Sequence, residues 1–205
     1  MPAHVMPAHR AMKLTDALQV LLDLRNDQVI VTTMGSAREW IHMSHHPLDL
    51  NYVPSTMGGG IPLGLGIALA QPQRHVVVIS GDGSFLMNLG TLVTVSASAA
   101  TNLTIIVINN GVYEITGGQK LATSKADVNF PGIALAAGLP VAETYEDLDS
   151  WRTNAPRVWE QPGPGLIDLK VAPVTTDYSL VAPPSMPDRI AKFRAELCGN
   201  SPSQP

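Results

Sequence analysis

The apolar positions of this chain fall into solid runs separated by segments with a helical period. Val29-Ile30-Val31, Val76-Val77-Val78-Ile79 and Ile105-Ile106-Val107-Ile108 contain no polar alternation. Such runs suit strands buried on both faces, as in a parallel sheet covered by helices. Before the first run, Leu14, Leu18, Leu21 and Leu22 share one helical face and predict a helix over 12–25. The pattern then predicts strands at 28–33, 75–80, 103–109, about 140–143 and 164–171. Helices are predicted at 60–71, 87–99, 130–137 (closed by Gly138) and about 146–160. His42 to Asn51, rich in His and followed by Pro54, reads as irregular. Alternation of this kind predicts an α/β fold, a doubly wound, mostly parallel sheet with helices on both faces.

The domain organisation follows from the same pattern. Residues 1–11 repeat Met-Pro-Ala-His and read as a disordered leader, 12–175 as one domain, and 176–205 as a C-terminal extension. That extension starts Pro-rich, but Pro187, Asp188, Ile190, Phe193, Leu197 and Gly199 fit a short capped amphipathic helix. Such a helix can dock on its own domain or serve an oligomer.

Composition narrows the class. A chain of 205 residues can bury a full core without staples. A net charge of −4 without a Lys/Arg cluster argues against a nucleic-acid partner. The single cysteine, Cys198, excludes a disulfide framework and a Cys-ligated iron–sulfur cluster. No apolar run reaches membrane-spanning length, and the first residues lack the apolar core of a secretory signal. A cytoplasmic protein is the expectation.

The chemistry concentrates between residues 81 and 110. Gly81-Asp82-Gly83-Ser84 follows one strand run, and Asn109-Asn110 closes the next, with 25 residues between Gly83 and Asn109. This is a parallel crossover unit with oxygen donors at the carboxyl ends of both strands, where α/β folds bind ligands. Gly81 and Gly83 leave room for close backbone approach, and the turn offers N–H groups to a phosphate. Asp82 and Asn110 are hard donors suited to magnesium, which usually completes its shell with phosphate oxygens and water.

Gly-Asp-Gly, a spacer in the mid-twenties and Asn-Asn together resemble the fingerprint of thiamine diphosphate (TPP) enzymes. The resemblance covers residues 28–120 well. It implies Mg2+ held by Asp82, Asn110 and the Val112 carbonyl. It implies TPP held by Gly81, Gly83, Ser84 and Asn110, with Ile115 on the segment that lies over the diphosphate. Ser55-Thr56-Met57-Gly58 is similar to the segment of acetolactate synthases that holds the aminopyrimidine. By that match Met57 wedges beneath the cofactor and the Ser55 carbonyl accepts from its amino group, whereas core filler is the plain alternative for Met57. Gly35 and Ser36, after the first strand, match a turn that touches the diphosphate, with a simple helix cap as the alternative for Ser36.

Family members pair this domain with one that binds the pyrimidine and supplies a catalytic Glu. Glu39, Glu114 and Glu143 are not in that position, so the resemblance implies a separate pyrimidine-binding subunit, an oligomer, and no catalytic acid that can be named here. Glu114-Ile115-Thr116-Gly117-Gly118-Gln119 resembles the sulfopyruvate and phosphonopyruvate decarboxylase group. This implies non-oxidative decarboxylation of a small 2-oxo acid bearing a second anion. An acetolactate-type carboligase and a non-catalytic TPP-binding subunit remain as alternatives. Arg38 and Lys120 are candidate substrate cations or solvated charges, and His42, His45 and His46 are a cluster of unassigned role. Gly117 and Gly118 read as a lid hinge or a simple turn.

Overall fold

The computed structural model describes residues 12–126, 128–174 and 184–199. The expected leader, residues 1–11, and the start of the C-terminal extension lie outside the described residues. Helix α1 (Leu14–Leu24) leads to β1 (Val29–Thr33), α2 (Met34–Met43) and β2 (Asp49–Tyr52). Helix α3 (Gly60–Ala70) precedes β3 (Val76–Gly81), which runs directly into α4 (Asp82–Leu86) and then α5 (Thr91–Ser98). Strand β4 (Leu103–Asn109) opens into an antiparallel hairpin of β5 (Val112–Tyr113) and β6 (Gln119–Lys120). Then come α6 (Phe130–Ala136), β7 (Val141–Tyr145), α7 (Leu148–Glu160), β8 (Gly165–Lys170) and α8 (Met186–Leu197).

Six strands form one sheet in the order β2-β1-β3-β4-β8-β7, and every pair in it is parallel. The unbroken apolar runs follow from this: successive side chains enter opposite cores. Val76, Val78, Ile105 and Val107 pack with α3, α5 and α6, whereas Val77, Ile79, Ile106 and Ile108 pack with α1, α2 and α7. The sheet is therefore doubly wound, as expected.

Two local expectations are corrected. Residues 42–51 are irregular only over 44–48: α2 runs through Met43, and β2, from Asp49, forms an edge of the sheet. Its sequence, Asp-Leu-Asn-Tyr, lacks an apolar run because only one neighbour covers it. Asp49 instead gathers donors, accepting from Trp40 Nε1 at 2.9 Å and Ser44 Oγ at 2.6 Å and pairing with Arg25. The helix expected over 87–99 starts later, at Thr91, after a turn over 87–90, and the short α4 over Asp82–Leu86 precedes that turn unforeseen. Helix α8 docks on its own domain. Phe193 is buried with Leu48 and Leu50, and the Arg189 guanidinium donates to the carbonyls of Asn51 and Val53 beside the sheet edge.

Helix α3 presses on the sheet through its glycines. A Cβ at Gly64 would lie 2.1 Å from Cγ2 of Val78, a fully buried, β-branched residue of a central strand. Gly64→Ala is expected to lower the unfolding free energy by about 1–2 kcal/mol, overpacking outweighing alanine's helix preference. A urea midpoint unchanged from wild type would contradict this close contact.

His75, just before β3, is 2.8 Å from Thr104 Oγ1 through Nε2, with its ring edge-on to Trp159. Burial holds its pKa below the ordinary 6.5. The unfolded chain then binds the extra proton first, so this group's stabilisation is lost as pH falls below 6.5. Asp82, raised to about 6 by burial, works in the opposite sense. The His75 effect is therefore read as a difference: from pH 7 towards 5, wild type should lose more melting temperature than His75→Gln. Parallel curves would contradict it. Among the described residues no helix is long and apolar enough to cross a membrane.

Candidate active site

The chain leaves β1 for β2 on one side and returns to β3 on the other. The order thus reverses between β1 and β3, and a crevice opens outside their carboxyl ends. Thr33, Gly81 and Asn109 end the three strands that face it. A cleft of about 130 Å³ lies there. Complete small-molecule pockets run to about 300–1,000 Å³, so this is the size of part of a site.

Asp82 stands at its floor, 2% exposed. Its Oδ1 accepts from the Gly83 N–H at 2.7 Å, and its Oδ2 accepts from Asn110 N–H at 3.1 Å and Gly111 N–H at 2.7 Å. The carboxylate thereby ties the end of β3 to the end of β4. Burial pushes its pKa up to about 6, against the pull of these N–H groups. Asn110 Oδ1 accepts from the Val112 N–H at 3.0 Å, which turns the chain into the hairpin. Asn109 does different work: it faces Asp168, whose carboxyl burial pushes up against the pull of Asn109 and Thr144.

The glycines divide by reason. At Gly83 a Cβ would come within 2.5 Å of the Tyr113 ring, so packing demands glycine. At Gly81 the backbone is ordinary, φ −73° and ψ 154°, and a Cβ would meet nothing within 4 Å. Neither conformation nor packing among the described residues explains Gly81, which lines the cleft.

Met57 reaches the cleft from far along the chain. Ser84 Oγ accepts from the Gly58 N–H at 2.9 Å, and Asn88 Nδ2 donates to the Gly58 carbonyl at 3.0 Å. Gly58 has φ 80°, and a Cβ there would lie 2.7 Å from Asn88 Cβ. So fixed, Met57 is 38% exposed and lines the cleft, which is not the burial of core filler. Ser55, Ser84, Val112 and Ile115 line it too, as do Gly35 and Ser36 at the start of α2. The Ser36 hydroxyl donates towards the carbonyls of Thr33 at 2.8 Å and Ile79 at 2.9 Å. Its side chain thus joins β1 to β3, leaving the backbone to face a ligand. Met34, between Thr33 and Gly35, has φ 32°, a strained value of the kind that clusters at functional sites.

The structure brings together every residue the sequence suggested for cofactor or metal, and separates the others. Arg38 is neither a solvated charge nor a free cation: it is buried and pairs with Glu39 at 3.2 Å and Glu114 at 3.4 Å. Lys120 is exposed on the hairpin and does not line the cleft. His46 belongs to the edge-strand network, its Nδ1 accepting from Leu48 N–H at 3.1 Å and facing Arg25 at 3.0 Å. His42 and His45 are exposed, and none of the three lines the cleft. Gly117 (φ 114°) and Gly118 (φ 74°) form the hairpin's turn. Thr116 and Gln119 clip it, with Gln119 Nε2 donating to the Thr116 carbonyl at 2.7 Å and Thr116 Oγ1 donating to Gln119 Oε1 at 2.9 Å.

Other lining residues carried no assignment from sequence. Tyr113, Glu114 and Thr116 lie in a segment whose motif was visible, and Thr33 could have been found from its place at a strand end beside the reversal. Leu14 enters from α1 and has no local signal.

The donor set suits a magnesium diphosphate. Among the described residues no three His, Cys, Asp or Glu side chains gather to hold a metal, so an ion here must draw on amide, carbonyl and ligand oxygens. A cation offsets the cost of burying Asp82 ionised, and the open space at Gly81 lets a bulky anion approach the backbone.

Comparison with known proteins points the same way. Residues 30–169 match the model of the thiamine pyrophosphate enzyme C-terminal TPP-binding domain. The chain is 34% identical over 189 residues to a phosphonopyruvate decarboxylase of Streptomyces viridochromogenes, covering 92% of this chain and 47% of that protein. It is 31% identical over 167 residues to the sulfopyruvate decarboxylase subunit beta of Methanothermobacter thermautotrophicus, covering 81% of this chain and 85% of that subunit. Acetolactate synthase isozyme 1 large subunit of Escherichia coli is 30% identical over 77% of this chain and 30% of that subunit. The chain thus spans about half the length of the phosphonopyruvate decarboxylases it matches. A crystal structure from Mycobacterium smegmatis described as a thiamin diphosphate-dependent enzyme shares the fold, with TM-score 0.68 and 22% identity over 80% of this chain and 32% of that one. The chain belongs to the thiamine pyrophosphate enzyme family, and the cleft at the carboxyl ends of β1, β3 and β4 lies in its C-terminal TPP-binding domain.

Proposed function

We propose that this chain supplies the diphosphate- and magnesium-binding half of a TPP-dependent, non-oxidative 2-oxo acid decarboxylase acting on a sulfopyruvate- or phosphonopyruvate-like substrate. The observation that carries the proposal is the pairing of a buried Asp82 carboxylate with Gly81, a glycine that neither its backbone nor its neighbours among the described residues require. Asp82, the Asn110 side chain and the Val112 carbonyl hold Mg2+. Gly81, Gly83, Ser84, Gly35 and Ser36 lie against the diphosphate, largely through backbone. Met57 sets the bend of the cofactor, the Ser55 carbonyl takes its amino group, and Ile115 covers it. When bound, TPP supplies the carbon nucleophile and the electron sink for loss of carbon dioxide.

The pyrimidine side and the catalytic Glu come from a separate subunit in a homo- or hetero-oligomer. The likeness to a protein that is by name one subunit supports this. Among the described residues, the charged side chains lining the cleft are Asp82 and Glu114, both acids. Cations for a substrate's second anion are therefore assigned to the partner. A single cysteine accords with a cytoplasmic, reducing location. The Ser55–Gly58 segment and the acetolactate synthase likeness favour a carboligase as the second reading, and a non-catalytic TPP-binding subunit is the third. The test is reconstitution with a pyrimidine-binding subunit. Carbon dioxide and an aldehyde from sulfopyruvate or phosphonopyruvate support the proposal. Acetolactate from pyruvate selects the carboligase, and a loaded but inert complex selects the third reading.

A further inference from the structure

The Glu-x-Thr-Gly-Gly-Gln segment builds the hairpin that roofs the cleft, and among the described residues Glu114 is its member with side-chain hydrogen bonds to the body of the protein. The base of the hairpin is fixed by Asp82 at Gly111 N–H and by Leu121 N–H donating to the Gly111 carbonyl at 2.9 Å. Beyond it, among the described residues, the side chains of Thr116 and Gln119 bond within the hairpin. Among the described residues, the polar ties from the stretch 113–120 to the rest of the domain run through Glu114. Its Oε1 accepts from the Val174 N–H at 2.7 Å, beyond β8, and its Oε2 accepts from Arg38 on α2 at 3.4 Å. The carboxylate is 8% exposed and lines the cleft, and a Cβ on Gly35 would lie 3.5 Å from its Oε2. It thus spans from the roof to the wall of the cleft.

We propose that Glu114 is a positioning residue: by clamping the hairpin to α2 and to the segment after β8, it holds the Val112 carbonyl where the metal needs it. The metal role of Val112 rests on the function proposed above. The buried Arg38 makes the clamp compatible with a diphosphate nearby, since it faces the Glu114 charge directly.

The test compares wild type, Glu114→Ala and Glu114→Gln as the full chain. The first readout needs no cofactor: hydrogen exchange of the amides from Val112 to Lys120, with Ile105–Ile108 of the central strand as control for folding. Glu114→Ala should speed hairpin exchange about tenfold or more while the strand is unchanged, the factor expected for losing a hydrogen bond to a charged group. Glu114→Gln keeps an acceptor for Val174 and should recover part of the protection. The second readout is the magnesium concentration that half-saturates TPP binding, which should rise about tenfold in Glu114→Ala, as for other groups that position metal ligands. A structural role alone would loosen the hairpin and leave the magnesium requirement where it was, and that result overturns the proposal. Unchanged hairpin exchange overturns it as well. Failure of wild type to bind TPP even with a pyrimidine-binding subunit added would instead sink the cofactor assignment, with the exchange arm still deciding whether Glu114 clamps the hairpin.

Discussion

Asp82→Asn should weaken magnesium-dependent TPP binding by about a hundredfold or more. Partners outside a metal's shell already cost 10–100-fold when removed, and Asp82 is assigned to the shell itself. The substitution removes the one carboxylate among the three donors assigned to the ion. It also leaves a neutral amide where two oxygens accept three backbone N–H groups, from Gly83, Asn110 and Gly111. An amide has one acceptor oxygen and two N–H donors, so at least one N–H of the turn is left facing another donor. Some loss of stability accompanies the loss of binding, about 1–3 kcal/mol for each buried donor left alone. Thermal unfolding without ligand separates the two effects. Binding lost at a temperature well below the variant's own transition reports the metal, whereas full-affinity binding by the variant would remove Asp82 from the site.

Gly81→Ala carries the opposite signature, which makes it the sharper probe. The new Cβ meets nothing within 4 Å and the backbone φ of −73° suits any residue, so the fold has no reason to object. Stability should hold or rise slightly, by about 0.4–1 kcal/mol, because alanine restricts the unfolded chain. TPP affinity should nonetheless fall by about tenfold or more, because overpacking a close contact typically costs 1–3 kcal/mol. Unchanged affinity in a stable Gly81→Ala chain would mean that no ligand approaches β3 at this point. Gly83→Ala cannot serve the same purpose, since its Cβ would strike the Tyr113 ring and disturb the hairpin whatever the ligand.

These two glycines show what was legible in the sequence. Both were visible as members of one motif, and their separate reasons were not: Gly83 answers to Tyr113, 30 positions on, which only the fold brings near. The central strands were legible because burial on both faces leaves its mark on every position. Strand β2 was not, because an edge strand answers to one neighbour, and Asp49 is kept by Trp40, Ser44 and Arg25 rather than by an apolar pattern. The proposed metal donors could be read locally, lying at or just past the ends of two consecutive strands of the crossover. The surroundings of Arg38 could not. Its partner Glu114 is 76 residues away, and a charge that looks solvated along the chain is buried once α2 meets the hairpin. Met57 falls between these cases. Its motif was plain, but its exposure depends on Ser84 and Asn88 seizing Gly58, 26 and 30 residues distant.

The most direct test of the site is a calorimetric titration of the wild-type chain, combined with a pyrimidine-binding subunit, with TPP, once in excess magnesium and once with a chelator. A cleft built for a magnesium diphosphate should give saturable binding of about one TPP per chain in magnesium and lose it in chelator, with a matching rise in melting temperature. Binding that ignores magnesium, or none up to about 1 mM TPP, the weak end of the affinity scale, with that subunit present would contradict it.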